Sequence, residues 1–189
     1  AGPAAAPLFD SVPRLDRVIV MRKKALSAHW VSLWAQCVTT RWDMVVDLRR
    51  SAIAWLLLAG NRHVIPLPGR EMHRVAFLAE TLGLAESPPS PTCWVSPSDD
   101  AAAAALLPEG GPVLAIGAAA NWPGKQWRAA YFAELIGRLT AADGILPDAR
   151  VAVFAAPDER EQVESVLDAI PPERRIDLVG RTGLPVAAA

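Results

Sequence analysis

The clearest pattern along the chain is a short apolar run followed, after a polar gap, by a helical stripe. Val113-Leu114-Ala115-Ile116 is bounded by turn residues and predicts a strand buried on both faces. Phe132, Leu135, Ile136 and Leu139 then recur at the i, i+3, i+4, i+7 spacing of a core-facing helix opened by Trp127, with Arg128, Glu134 and Arg138 off the stripe. The loop between, residues 117–126, holds two glycines, a proline, an asparagine and one lysine, Lys125. Strand, short loop and helix start together place that lysine beside unpaired backbone N–H groups and the positive end of the helix dipole, a setting that suits a phosphate.

The same reading carries through the rest of the chain. Arg17-Val18-Ile19-Val20-Met21 has the β-branched content of a strand. Leu26, Trp30, Leu33, Trp34, Cys37 and Val38 fall on one helical face within 26–42, with Ser27 as its N-cap. Residues 44–48 predict a buried strand, 51–59 a short apolar helix, 63–65 a brief strand and 72–82 a helix closed by Gly83. Residues 86–100 contain four prolines and four serines and read as a linker between domains. Beyond it come an alanine-rich helix from Asp99-Asp100 to Leu107, the opening strand and helix, a strand at 150–155, a helix at 158–170 and a strand at 175–179. Strands alternating with helices imply parallel βαβ units, hence an α/β fold. The division falls near Val95, giving domains 1–95 and 96–189.

Composition narrows the function. The 189 residues carry a formal net charge of −1 with lysines and arginines dispersed, so no nucleic-acid footprint is supported. Cys37 and Cys93 lack CxxC spacing and read as buried thiols in a reducing compartment rather than a disulfide or zinc set. The longest apolar run, 52–60, is far short of the roughly 18 residues of a membrane span, and the start lacks the pattern of a signal peptide, so the chain reads as soluble. With no initiator methionine and an end where a helix should begin, it also reads as a fragment truncated at both ends. His29, His63 and His73 do not pair at metal-ligand spacing, so no metal is expected. The loop 117–125 is no P-loop, because its glycines are too far apart and Gln126 stands where Ser or Thr is required.

In an open α/β sheet, ligands bind beyond the carboxyl ends of the strands. The loops after Gly117 and Ala155 leave at that edge, so Lys125 and Glu159 can face one crevice. Each has a plain alternative. Lys125 also fits a solvated loop lysine, and Glu159 in the first turn of a helix offsets the dipole without further role. Trp122, beside Pro123, is a candidate for shaping a pocket, whereas Trp127 is expected to pack into the core. Arg49, at a strand end of the first domain, and His73, at a helix start, are candidate acceptor contacts or simply solvated side chains.

Four stretches resemble a known family: Ile116-Gly117 with Lys125-Gln126-Trp127 and Phe132-Ala133-Glu134-Leu135, Asp43-Met44-Val45-Val46-Asp47-Leu48-Arg49, Ala155-Ala156-Pro157-Asp158-Glu159, and Ile176-Asp177-Leu178-Val179-Gly180-Arg181-Thr182. Their order is similar to that of the ADP-heptose:lipopolysaccharide heptosyltransferases, the family 9 glycosyltransferases. The resemblance implies two Rossmann-like domains of GT-B type, each a parallel sheet flanked by helices, with an acceptor-side domain first and a nucleotide-sugar domain second. It implies transfer of a heptose or related sugar, with inversion, from an ADP-sugar to a lipid-linked saccharide of the lipopolysaccharide-core type, without a cofactor. Lys125 would neutralise the diphosphate, Asn121 would donate to phosphate through its amide, and Glu159 would accept from the ribose hydroxyls. Ala120 departs from the hydroxyl residue common at its position.

In the family the general base is an aspartate in an N-terminal loop, and an Asp-Ser-Gly-x-x-His segment holds sugar and phosphate; neither is in this chain. The catalytic residue therefore stays unassigned, and the fragment alone is expected to be inactive. A cytoplasmic setting at the inner face of the bacterial inner membrane, with peripheral membrane association of the full-length enzyme, is a further expectation from the family. The rival reading is a non-catalytic nucleotide-binding or interaction module.

Overall fold

The structure, a computed structural model, describes residues 1–189 except Pro68, Arg70 and Pro108. The chain forms two compact units, Ala1–Trp94 and Val95–Ala189. Among the described residues no helix is long and apolar enough to cross a membrane.

The first unit contains α1 (Ala28–Cys37), β1 (Trp42–Asp47), β2 (Ala59–Val64) and α2 (Arg74–Glu80). β1 and β2 pair in parallel from Trp42 opposite Ala59 to Asp47 opposite Val64. Several sequence expectations are corrected here. Residues 17–21 form no strand of either sheet; their backbone instead exchanges two bonds with Ala1, whose amino group donates to Ile19 O and whose carbonyl accepts from Met21 N. The stretch expected as a helix at 51–59 is a single tight turn, Ala52–Trp55, and its end is already β2. Ser27 stands at the N-cap position of α1 but with φ of 59°, so its hydroxyl caps nothing. β1 is not buried, because it packs chiefly against β2 and the Ala52–Trp55 turn and leaves Met44 and Val46 half exposed. Cys37 is buried and Cys93 exposed, which corrects the expectation of two buried thiols.

The second unit is a three-layer arrangement. Its sheet has the order β3 (Val113–Gly117), β4 (Arg150–Phe154), β5 (Arg175–Asp177), all parallel. Side chains alternate across it as strand geometry demands. Leu114, Ile116, Val151 and Val153 meet α4 (Ala129–Thr140) and α5 (Arg160–Asp168) through Phe132, Ile136, Val163, Val166 and Leu167. On the opposite face Val113, Ala152, Phe154, Ile176 and Leu178 pack with Leu106 of α3 (Pro97–Leu106), which α6 (Leu184–Ala188) contacts.

The most deeply buried strand is β4 rather than β3. Paired on both edges and covered on both faces, β4 has Val151, Ala152 and Val153 at 0–1% exposure, whereas β3 has Ala115 and Gly117 exposed. Each such valine contributes on the order of 1.5–3 kcal/mol by leaving water. In α4 the stripe is Phe132, Ile136, Leu139 and Thr140, while Leu135 lies on the outer surface. α3 starts earlier than Asp99: Ser96 accepts from Asp99 N and the Asp99 carboxylate accepts from Ser96 N, a reciprocal cap that the sequence reading passed over.

Candidate functional site

The parallel pairing of Gly117 with Phe154 puts the β3 and β4 exits at one edge of the sheet. From β3 the chain runs through Ala118, which is buried, to Asn121 and Trp122, both exposed, then a tight turn, Pro123–Lys125. The turn is closed by Lys125 N donating to Trp122 O at 3.1 Å and Gln126 N to Pro123 O at 3.0 Å. Lys125 is exposed and has no ion-pair partner among the described residues. Gly124 lets the Trp122 indole lie across the turn, since a Cβ there would sit 1.8 Å from the ring. Helix α4 begins at Ala129, with Arg128 as N-cap and no side chain capping the first turn. Among the described residues, no side chain is seen to accept from its first N–H groups.

Trp127 does not enter the core. It is about half exposed and meets Phe132 edge-on, centroids 5.1 Å apart, with the Tyr131 ring centroid 5.5 Å away. The helix starts two residues later than the sequence pattern suggested, so Trp127 ends a loop instead of facing inward.

The β4 exit carries the second candidate. Pro157–Glu159 form a tight turn leading into α5, and Glu159 Oε2 accepts from Ala156 N at 2.9 Å. That is one half of a capping box; Ala156 has no side-chain acceptor to supply the other half. Glu159 thus has a structural role, and its second oxygen has no protein partner among the described residues. The third exit folds onto this turn: Gly180 N donates to Ala155 O at 2.9 Å, and at φ of +69° Gly180 lies so close to Pro157 that a Cβ would be 3.0 Å from the proline Cγ.

The residue that joins the first two exits was missed by the sequence reading. Gln162 Oε1 accepts from Ala120 N at 3.4 Å and from the Gln126 side-chain amide. No local pattern marks it, because Gln126 lies 36 residues away. Lys125, Asn121 and Trp122 thus share one loop, tied by Gln162 to the helix that follows Glu159.

The acceptor candidates belong to the first unit. Arg49 is exposed in the turn after β1, its N–H donating to Asp47 Oδ1 at 2.8 Å. Asp47 also accepts from the Ser51 hydroxyl at 2.9 Å, so its carboxylate is spent on the turn. His73 is the N-cap of α2, its Nδ1 accepting from Val75 N at 3.4 Å. No hydrogen bond or ion pair joins Arg49 to His73 among the described residues.

The sequence model of glycosyltransferase family 9 (heptosyltransferase) matches residues 12–189, and the chain belongs to that family. Its fold is similar to a glycosyl transferase family 9 protein from Veillonella parvula DSM 2008, with TM-score 0.72 and 17% identity over 98% of this chain and 61% of that one. It is also similar to the E. coli ADP-heptose lps heptosyltransferase II, with TM-score 0.60 and 19% identity over 99% of this chain and 64% of that one. The chain thus spans less than two thirds of either protein. No curated protein sequence matches it significantly.

Proposed function

We propose that this chain is part of an inverting glycosyltransferase that moves a heptose or related sugar from an ADP-sugar to a lipid-linked saccharide of the lipopolysaccharide-core type. The second unit takes the nucleotide sugar and the first takes the acceptor. The observation that carries the reading is Lys125: an exposed cation without an ion-pair partner among the described residues, on the loop leaving β3, just before the N-terminus of α4, which its own N-cap side chain leaves uncapped.

Breaking the glycosidic bond builds negative charge on the departing diphosphate. A fixed cation and helix N–H groups aimed at that charge favour the transition state over the bound substrate. Asn121 adds an amide donor on the same loop, and Trp122 walls the turn. The free oxygen of Glu159 accepts from the ribose hydroxyls while the other keeps its cap. Arg49 and His73 offer a cation and an imidazole to an anionic saccharide. Inversion needs a base on the acceptor hydroxyl, opposite the leaving diphosphate; none of these side chains is assigned that role. The intact enzyme acts in the cytoplasm, at the membrane face where such acceptors are built.

The test is transfer by the intact protein, with ADP-heptose and a deacylated core saccharide, followed by mass spectrometry of the product. Turnover that falls about 100-fold or more in Lys125→Ala supports the reading. No turnover with ADP-, UDP- or GDP-sugars, together with no binding of any of these nucleotides, would contradict it.

A further inference from the structure

We infer that Gln162 is a positioning residue that sets the geometry of the Lys125 turn by holding both ends of its loop on one carbonyl oxygen; the inference rests on the nucleotide-sugar reading above. The two donors to Gln162 Oε1 are Ala120 N and the Gln126 side-chain amide. They bracket residues 121–125, every one of them exposed. No apolar side chain of that stretch is sunk in the core to fix its path.

Gln162 itself stands on firm ground. The next residue, Val163, is fully buried, and Val166 one turn on is 1% exposed, so α5 is anchored to the sheet. The two bonds carry that anchorage to a loop whose other backbone bonds, among the described residues, are those of its own turn. A lysine on a loop already held in place loses less conformational freedom when it meets a diphosphate, and preorganisation of this kind raises affinity without adding a contact to the ligand. A glutamate at 162 would keep the acceptor but set a negative charge beside the loop that must attract an anion. The neutral amide avoids that conflict.

The experiment is calorimetric titration of the intact protein with ADP and, separately, with adenosine. The variants are Gln162→Met, which keeps size but removes the acceptor, Gln126→Ala, Lys125→Ala and the double variant Lys125→Ala/Gln162→Met. Gln162→Met is expected to weaken ADP about 3- to 10-fold, the scale of one or two exposed hydrogen bonds, and to leave adenosine unchanged. Gln126→Ala repeats that pattern, and the double variant binds ADP no more weakly than Lys125→Ala alone. Unchanged ADP affinity in Gln162→Met, equal losses for ADP and adenosine, or additive losses in the double variant would overturn the positioning role while leaving Lys125 in place. If Lys125→Ala itself has no effect on ADP, the nucleotide-sugar reading falls and takes this role with it.

Discussion

Arg160, in the first turn of α5, donates to the Asp177 carboxylate at 2.9 Å and so joins the helix after Glu159 to the end of β5. Val179 N donates to the other carboxylate oxygen at 3.0 Å. Partial burial works against ionisation of Asp177, but these two hydrogen bonds and the charges of Arg160 and Arg175 outweigh it and hold the carboxyl below its ordinary range. The pair braces the sheet edge from which the candidate loops depart.

A pH dependence follows. The folded pKa of Asp177 lies below its unfolded value of about 3.9, so its stabilisation is present above that pH and is lost as pH falls through the folded value. Asp177→Asn should lower the urea midpoint at neutral pH by the equivalent of about 1 kcal/mol or less, since the pair is open to solvent. The difference from the parent should shrink on acidification below about pH 3.9. A difference that grows in acid would contradict this account of Asp177.

Gly180→Ala should be more costly than its size suggests. The residue holds φ of +69°, and the added methyl would press within 3.0 Å of Pro157. A left-handed alanine costs about 1–2 kcal/mol, and the Pro157 contact adds to it. Thermal unfolding should show a lowered midpoint, and an unshifted one would mean that the β4 and β5 exits are not packed as described.

Core truncation should separate the buried residue that follows α5 from the outer face of α4. Ile170→Ala removes a side chain that is 1% exposed and should cost about 2–5 kcal/mol. Leu135→Ala, at 36% exposure, should cost under about 1 kcal/mol. Denaturant midpoints of the two variants check the order, and the reverse order would restore the helical stripe first read from the sequence.

Gly124→Ala should leave stability nearly untouched and still disturb nucleotide binding. The new Cβ would fall 1.8 Å from the Trp122 ring, so the indole must swing away, and the exposed loop can let it go. Unfolding should shift by less than about 0.5 kcal/mol, whereas ADP affinity should fall a few-fold as the turn loses its set shape. Equal ADP affinity in the parent and the variant would remove Trp122 from the pocket.

The second unit was largely legible because its signals are local. Apolar runs at β3 and β4, the stripe of α4 and the turn residues between them specify strand, loop and helix without reference to the rest of the chain. The first unit was harder, since Val18-Ile19-Val20 has strand composition but a strand also needs a ladder partner, and here the backbone bonds to Ala1 instead. Residues 51–59 are apolar like a helix, yet the chain from Ala59 onward is claimed by pairing with β1. At the candidate site Lys125 and Glu159 stood out by charge and place. Gln162 did not, because its meaning lies in partners far along the sequence.

The most direct test of the central claim is ADP binding to the intact protein, compared among the parent, Lys125→Ala and, as a charge-matched control in the other unit, Lys24→Ala. The account predicts a roughly tenfold or greater loss for Lys125→Ala, as expected for a charge-assisted contact to phosphate, with Lys24→Ala close to the parent. Equal affinity in all three proteins would contradict it.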